Sequence, residues 1–389
     1  MNYNITSDAG IMVLAAHFRK HGHEIRLVGG AVRDILYGVA PKDFDFCTTA
    51  PPEKMMTMID DFWKVFPTGI EHGTVTFMSL YGSFEVTALR KDVECDGRHA
   101  VVEFTNDWEV DAARRDFTIN AMSMDMTGNL FDYFDGQKDL KNGQVKFVGD
   151  PVARIKEDAL RMIRFLRFEA RFGGKSKYTD SYFACVRNQH LINNVSTERV
   201  WQEVKSASRN PDSFRRFMSY MITGDWFEQF GIMFNNTNVE NAGHINRFVK
   251  EFPTFGVAVF LDRSEIGEFF AEFRLSKKEQ DELAFFVHMK DHEINEEYFE
   301  DLATNGTNKR WLVALAKFKG NDKLSKYIDK WIVPVFPISG KDLIELGITP
   351  GKHMGYMLEM LRHKWVMSRF TLTKEQLLEA NKENIKNVG

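Results

Sequence analysis

The stretch "LVGGAVRDILYGVAPKDFDF", Leu27–Phe46, sets two glycines and an arginine ahead of two aspartates separated by one residue. In a strand, residues two apart point the same way, so Asp43 and Asp45 share one face while Phe44 and Phe46 turn to a core. Two carboxylates that close repel each other unless a cation lies between them. Hard divalent ions take oxygen ligands and keep phosphates in their shell, which makes Asp-x-Asp on a rigid strand the pattern of a Mg²⁺-dependent phosphoryl-transfer site. The alternative is a solvated strand face after a Pro-Lys turn. Gly29 and Gly30 allow a phosphate to approach the backbone where "AVRDILYG" begins a helix, and Arg33 on its first turn can meet anionic oxygens. No Lys-Ser/Thr follows the glycines, so this is not a Walker loop. Glu85 in "FEVTALR" is either a third carboxylate for the ion, with Val86 and Ala88 facing the core, or one half of a surface pair with Arg90.

Outward from this stretch the chain reads as α+β. Asp8 precedes the helical spacing of "AGIMVLAAHF", which leads into the strand "EIRLV". "KDFDFCT", "GTVTFMSL" and "FEVTALR" alternate polar and apolar residues, and Tyr81-Gly82-Ser83 separates the last two as a hairpin turn, so a mixed or antiparallel sheet is expected over residues 25–105. Beyond "PVARIKEDALRMIRFLRFEARFG" the pattern is helical almost throughout, and "WIVPVFPISG" marks a joint near the end. A chain of 389 residues exceeds one core, since cores stop growing at roughly 250 residues. Three cysteines without close spacing exclude a disulfide framework or a zinc site and suit a reducing cytoplasm. No apolar run is long enough to cross a bilayer. The net charge of −4 conceals an asymmetry: residues 151–216 carry 14 Lys/Arg against 7 Asp/Glu, the footprint of a polyanion partner or of a solvated helical face.

The ordered motifs "LVGGAVRD", "KDFDF", "HGTVT", "ARRDFTINAM", "FDYFDGQKDL" and "EDALRMIRFLRF" resemble those of the class II tRNA nucleotidyltransferase and poly(A) polymerase family over residues 25–205. "ISGKDLIELGITPG" resembles its tail segment. The resemblance implies a polymerase-beta-like nucleotidyltransferase head (1–150), a helical neck (151–216), a helical body (217–332) and a helical tail that binds tRNA (333–389). It implies that Asp43 and Asp45 hold the catalytic Mg²⁺ ions, and the strand reading adds Glu85 as the candidate third catalytic carboxylate. Gly30, Arg33, Arg115, Arg164 and Arg167 are implied as nucleotide contacts. By the same resemblance Asp158 and Arg161 read the incoming base, while Glu198, Arg199 and Glu203 brace the helix that carries them. Asp135 and Asp139 are expected as structural caps, and Arg114 as the partner of Asp111. "RKDVECDGRHAVVEF" stands where the family has a flexible loop needed to switch from C to A, and Cys95 there replaces a residue often aromatic.

The base-reading role has a chemical basis. Cytosine and adenine each present an amino donor beside a ring-nitrogen acceptor, whereas guanine and uracil present a carbonyl beside a ring N–H. A carboxylate next to a guanidinium matches the first pair, and Asp158 and Arg161, three apart on a helix, are expected as such neighbours. The bland alternative is a basic solvated stripe. Together these readings imply an enzyme that adds C, C and A to the tRNA 3′ end from CTP and ATP. A poly(A) polymerase, a partial CC-adding or A-adding enzyme, and an RNA-binding protein with an inactive head are the rivals; no membrane or protein partner is indicated. His288 and His292 are four apart, but no Glu follows the first, so a zinc-protease signature is absent.

Overall fold

In a computed structural model, helix α1 (Ala9–Lys20) starts where the Asp8 carboxylate accepts the Ile11 amide at 3.1 Å, and it leads into strand β1 (Ile25–Val28). The structure describes residues 5–95, 100–174, 179–232 and 247–380. All four β1 residues are buried. It pairs antiparallel with β2 (Asp45–Thr48) on one side and with Ser123–Met124 on the other. After α2 (Gly30–Leu36), β2 and the short α3 (Pro52–Met55) come β3 (Lys64–Gly69), β4 (Thr74–Ser79) and β5 (Gly82–Ala88), which form an antiparallel meander. β5 returns to pair in parallel with β2.

The expected mixed sheet therefore forms, with seven strands in the order β3-β4-β5-β2-β1-β8-β9, where β8 is Ser123–Met124 and β9 is Leu130–Phe131. The last two strands have two residues each, too short for a period-2 pattern. The β4–β5 turn falls at Leu80-Tyr81, since Ser79 pairs with Gly82. In the segment 90–104, β6 (Arg90–Cys95) and β7 (Ala100–Phe104) make a separate two-stranded sheet. The Cys95 side chain lies outside the described residues.

Helices take over from α4 (Trp108–Ala113) and α5 (Gly136–Lys141) onward. Asp135 occupies the N-cap position of α5 in a left-handed conformation (φ 60°), yet Asp132 supplies the capping carboxylate, accepting the Gly136 and Gln137 amides. Asp139 is buried and accepts from the Thr118 hydroxyl at 2.8 Å and the Lys146 ammonium at 2.5 Å, so it ties α5 to the "TIN" turn of the fourth motif. Next come α6 (Pro151–Glu157), α7 (Leu160–Phe172), α8 (Asp180–Arg187), α9 (Thr197–Ser208) and α10 (Pro211–Thr223). The apolar face of α7 buries Met162, Ile163, Phe165 and Leu166, and Phe165 stacks on Phe147, which also faces Phe117 from the head. Head and neck thus share one core and belong to one compact unit, residues 1–233 with 272–274.

The second unit, residues 234–271 with 275–389, is helical among the described residues. In its last part Ile338, Leu343, Met357, Leu361, Trp365 and Leu377 build a separate small core. Buried Glu300 in this unit accepts from the Tyr327 hydroxyl and, at 3.0 Å, from Arg369. Among the described residues no helix is long and apolar enough to cross a membrane.

Candidate active site

A cavity of about 670 Å³ opens between the head sheet and the α7–α9–α10 wall. Its lining contains Gly30, Arg33, Asp43, Asp45, Arg115, Asp158, Arg161, Arg164 and Arg167, so every nucleotide-binding or metal residue expected from the sequence comes to one place. Glu85 is the exception. It is the register partner of Asp45 across the parallel β2–β5 pair and is exposed, but it does not line the cavity. Arg90, its alternative partner, instead pairs with Asp92 and donates to the His72 carbonyl.

The glycine turn explains itself by distance. Gly29 has φ 66°, and a Cβ there would stand 2.9 Å from the Arg115 guanidinium. A side chain would be strained and would displace that arginine. Arg33 is buried, with its Nη1 donating to Asn120 at 2.6 Å and its Nε and Nη2 to Asp34. Burial pushes its guanidinium down from the ordinary arginine value, and Asp34 opposes this. Arg114 and Arg115 both bind the buried Asp111, at 2.8 and 3.1 Å.

Asp45, the first residue of β2, is exposed, as is Asp43, which lies in a bend just before the strand rather than on it, whereas Phe46 is 1% exposed. Although Asp45 keeps an open side, the cavity walls strip water from it and push its carboxyl above the ordinary range; Arg115 opposes the shift and Asp43 adds to it. Both donors are hard oxygens, which fits Mg²⁺. Among the described residues no three His, Cys, Asp or Glu side chains converge to hold an ion unaided, so Asp43 and Asp45 would need substrate oxygens to complete a shell.

The Asp158/Arg161 wall differs from expectation at one point. Asp158 is not helical: it has φ −153°, ψ 106° and sits in the joint between α6 and α7. Its carboxylate accepts the Leu160 amide at 3.1 Å and a two-pronged ion pair from Arg199, at 3.2 and 2.9 Å. Those bonds satisfy the open start of α7 and hold the chain extended there. Arg161 accordingly pairs with Glu157 at 2.5 Å rather than with Asp158. Farther along α7, Arg164 binds Asp116 at 2.6 Å and Glu203 at 3.3 Å, and Arg167 binds Glu203 at 2.6 Å. Burial alone would raise Asp116, but Arg164 and Asn120 hold it below the usual carboxylate range. Arg33, Arg164 and Arg167 also lie over the ring of Phe168, at 5.1, 5.6 and 4.2 Å from its centre. Arg199 and Glu203 are thus braces in the geometric sense.

Asp34, Asn120 and Glu157, which hold Arg33 and Arg161 in place, were not singled out by the sequence. Each lies inside or next to a quoted motif, but nothing local reveals partners such as Asn120, 87 residues from Arg33.

Comparison with known proteins settles the family. Residues 25–146 match the Poly A polymerase head domain. The chain is 35% identical to CCA tRNA nucleotidyltransferase 1, mitochondrial, of Mus musculus, an alignment spanning 95% of this chain and 89% of that protein. The chain belongs to the CCA tRNA nucleotidyltransferase family. Its relatives include a CCA-adding enzyme of Ligilactobacillus salivarius, 31% identical with 94% of each chain covered. The fold is also that of the Bacillus stearothermophilus CCA-adding enzyme solved in complex with CTP, with a TM-score of 0.75, 24% identity, and 99% of this chain and 100% of that one aligned.

Proposed function

We propose that this chain adds C, C and A to the 3′ end of tRNA from CTP and ATP, releasing pyrophosphate, with its own side chains in place of a nucleic-acid template. The observation that carries this reading is the single cavity that joins the Asp43/Asp45 pair to the Asp158/Arg161 wall. The mouse and Ligilactobacillus relatives, named for CCA addition, support it.

In this reading Asp43 and Asp45 hold Mg²⁺, which when bound activates the RNA 3′-hydroxyl and neutralises charge at the α-phosphate and leaving pyrophosphate. Glu85, beside Asp45 in the sheet, adds negative charge near the ion. The Gly30 backbone, Arg33 and Arg115 receive the triphosphate. Asp158 accepts from the amino group of cytosine or adenine, and Arg161 donates to the adjoining ring nitrogen. Arg161 does so by turning from Glu157, while Arg164 and Arg167 stay fixed by Asp116 and Glu203 and shape the floor beneath the nucleotide. The buried free thiols of Cys47 and Cys185 favour a reducing compartment, and we place the protein in the cytoplasm.

The test is a sized incorporation assay with Mg²⁺ and tRNA ending before CCA, after C or after CC, given each nucleotide singly and then CTP with ATP. Growth by three nucleotides that then stops, absent from an Asp43→Ala/Asp45→Ala variant, is the expected result. Long A tails would instead support the poly(A) polymerase reading, CC or A alone a partial enzyme, and binding without extension a non-enzymatic role.

A further inference from the structure

Most arginines that line the cavity are already neutralised. Arg33 and Arg171 bind Asp34, Arg115 binds Asp111, Arg161 binds Glu157, Arg164 binds Asp116, and Arg167 binds Glu203. Two lining cations differ. Lys42 and Arg209 are exposed, and among the described residues neither has an ion-pair or hydrogen-bond partner.

Their position follows from the ion-pair ladder. Arg199 at the start of α9 holds Asp158 just before α7, and Glu203, one turn on, holds Arg164 and Arg167. The two helices therefore run in the same direction, which sets the end of α9 beside the last turn of α7, where Arg171 reaches Asp34 of α2. Arg209 caps that end of α9. The chain leaving α2 lines the same cavity through Val39, Ala40 and Pro41 before reaching Lys42, the residue next to Asp43. Arg209 thus belongs to the end of α9 away from Asp158, and Lys42 lines the same cavity directly beside Asp43 in the chain.

Nucleotidyl transfer requires the RNA 3′-hydroxyl at the carboxylate pair while the incoming base occupies the Asp158/Arg161 end. The growing strand must then leave toward the other end, where free positive charge meets a backbone phosphate without first breaking an ion pair. We propose that Lys42 and Arg209 grip a phosphodiester of the RNA acceptor strand and so position its 3′-hydroxyl. This rests on the nucleotidyl-transfer reading of the cavity. The shared chemistry is a phosphate oxyanion, and its other source is the triphosphate of the incoming nucleotide.

The test uses the full-length chain and its Lys42→Gln and Arg209→Gln variants. Affinity for tRNA lacking CCA is measured against KCl concentration, and affinity for CTP is measured separately without RNA. Each variant is expected to bind RNA about fivefold more weakly at physiological salt and to flatten the salt dependence by about 0.7 to 0.9 in slope, as the loss of one phosphate contact does. CTP affinity stays unchanged. Weakened CTP binding, with or without weaker RNA binding, would assign the cations to the triphosphate and overturn the proposal. Unchanged RNA affinity and slope would overturn it equally. Because binding is read without catalysis, a wild-type protein that binds tRNA but incorporates no nucleotide would sink the proposed function and leave this outcome legible.

Discussion

The two sides of the cavity are built on opposite electrostatic terms. On the strand side, Asp43 and Asp45 stand exposed with like charge and with Asp45 pushed toward its protonated form. On the helix side, each of Arg161, Arg164 and Arg167 is matched to a carboxylate, and Asp158 to Arg199. The strand side concentrates like charge, so removing that charge is expected to harm chemistry more than stability. The helix side is satisfied without ligand, so removing a brace harms stability and geometry first.

The largest effect that should break this symmetry is on rate. Asp43→Ala or Asp45→Ala is expected to lower kcat by about 10³ or more, roughly 4 kcal/mol of transition-state stabilisation. Affinity for tRNA should persist, since neither aspartate attracts a polyanion. Glu203→Gln should do the reverse. It leaves Arg164 and Arg167 short of their shared carboxylate, and with these side chains 9%, 32% and 17% exposed the pairs are largely shielded from water. A loss of about 2 to 3 kcal/mol in unfolding free energy is expected, below the full cost of an interior pair because Arg164 keeps some solvent contact. Chemical denaturation reads it.

The smallest effect sharpens the comparison by sign. In the folded, metal-free protein Asp45 holds its proton more tightly than the ordinary value of 3.8. The group therefore costs stability as pH rises through the interval between that value and its raised one. Asp45→Asn should raise the melting temperature of metal-free protein slightly at pH 7, and the gain should vanish below pH 3.8. Saturating Mg²⁺ should reverse it, since only the aspartate pair gains from binding.

What the sequence made legible follows the range of each interaction. Strand alternation anticipated the burial of Phe46, Val86 and Ala88, because period 2 is a local property, but Asp43 falls in a bend before β2, where alternation does not reach. The Arg114–Asp111 pair, three apart, was equally readable. The break in the helix at Asp158 was not. It depends on Arg199, 41 residues away, and on a capping bond that no periodicity announces. The same holds for Asp116, which binds Arg164, 48 residues on. Glu85 stands beside Asp45 in the sheet without lining the cavity, and the alternation of β5 alone could not distinguish a third carboxylate from a surface residue.

Base selection by protein side chains is open to one direct measurement. With tRNA lacking CCA, kcat/KM is compared for CTP, ATP, UTP and GTP in the wild type and in Asp158→Ala and Arg161→Ala, with tRNA affinity measured alongside. The account predicts that preference for C and A over U and G falls by 5- to 150-fold, the equivalent of about 1 to 3 kcal/mol, while tRNA affinity holds. Full discrimination in both variants would contradict it.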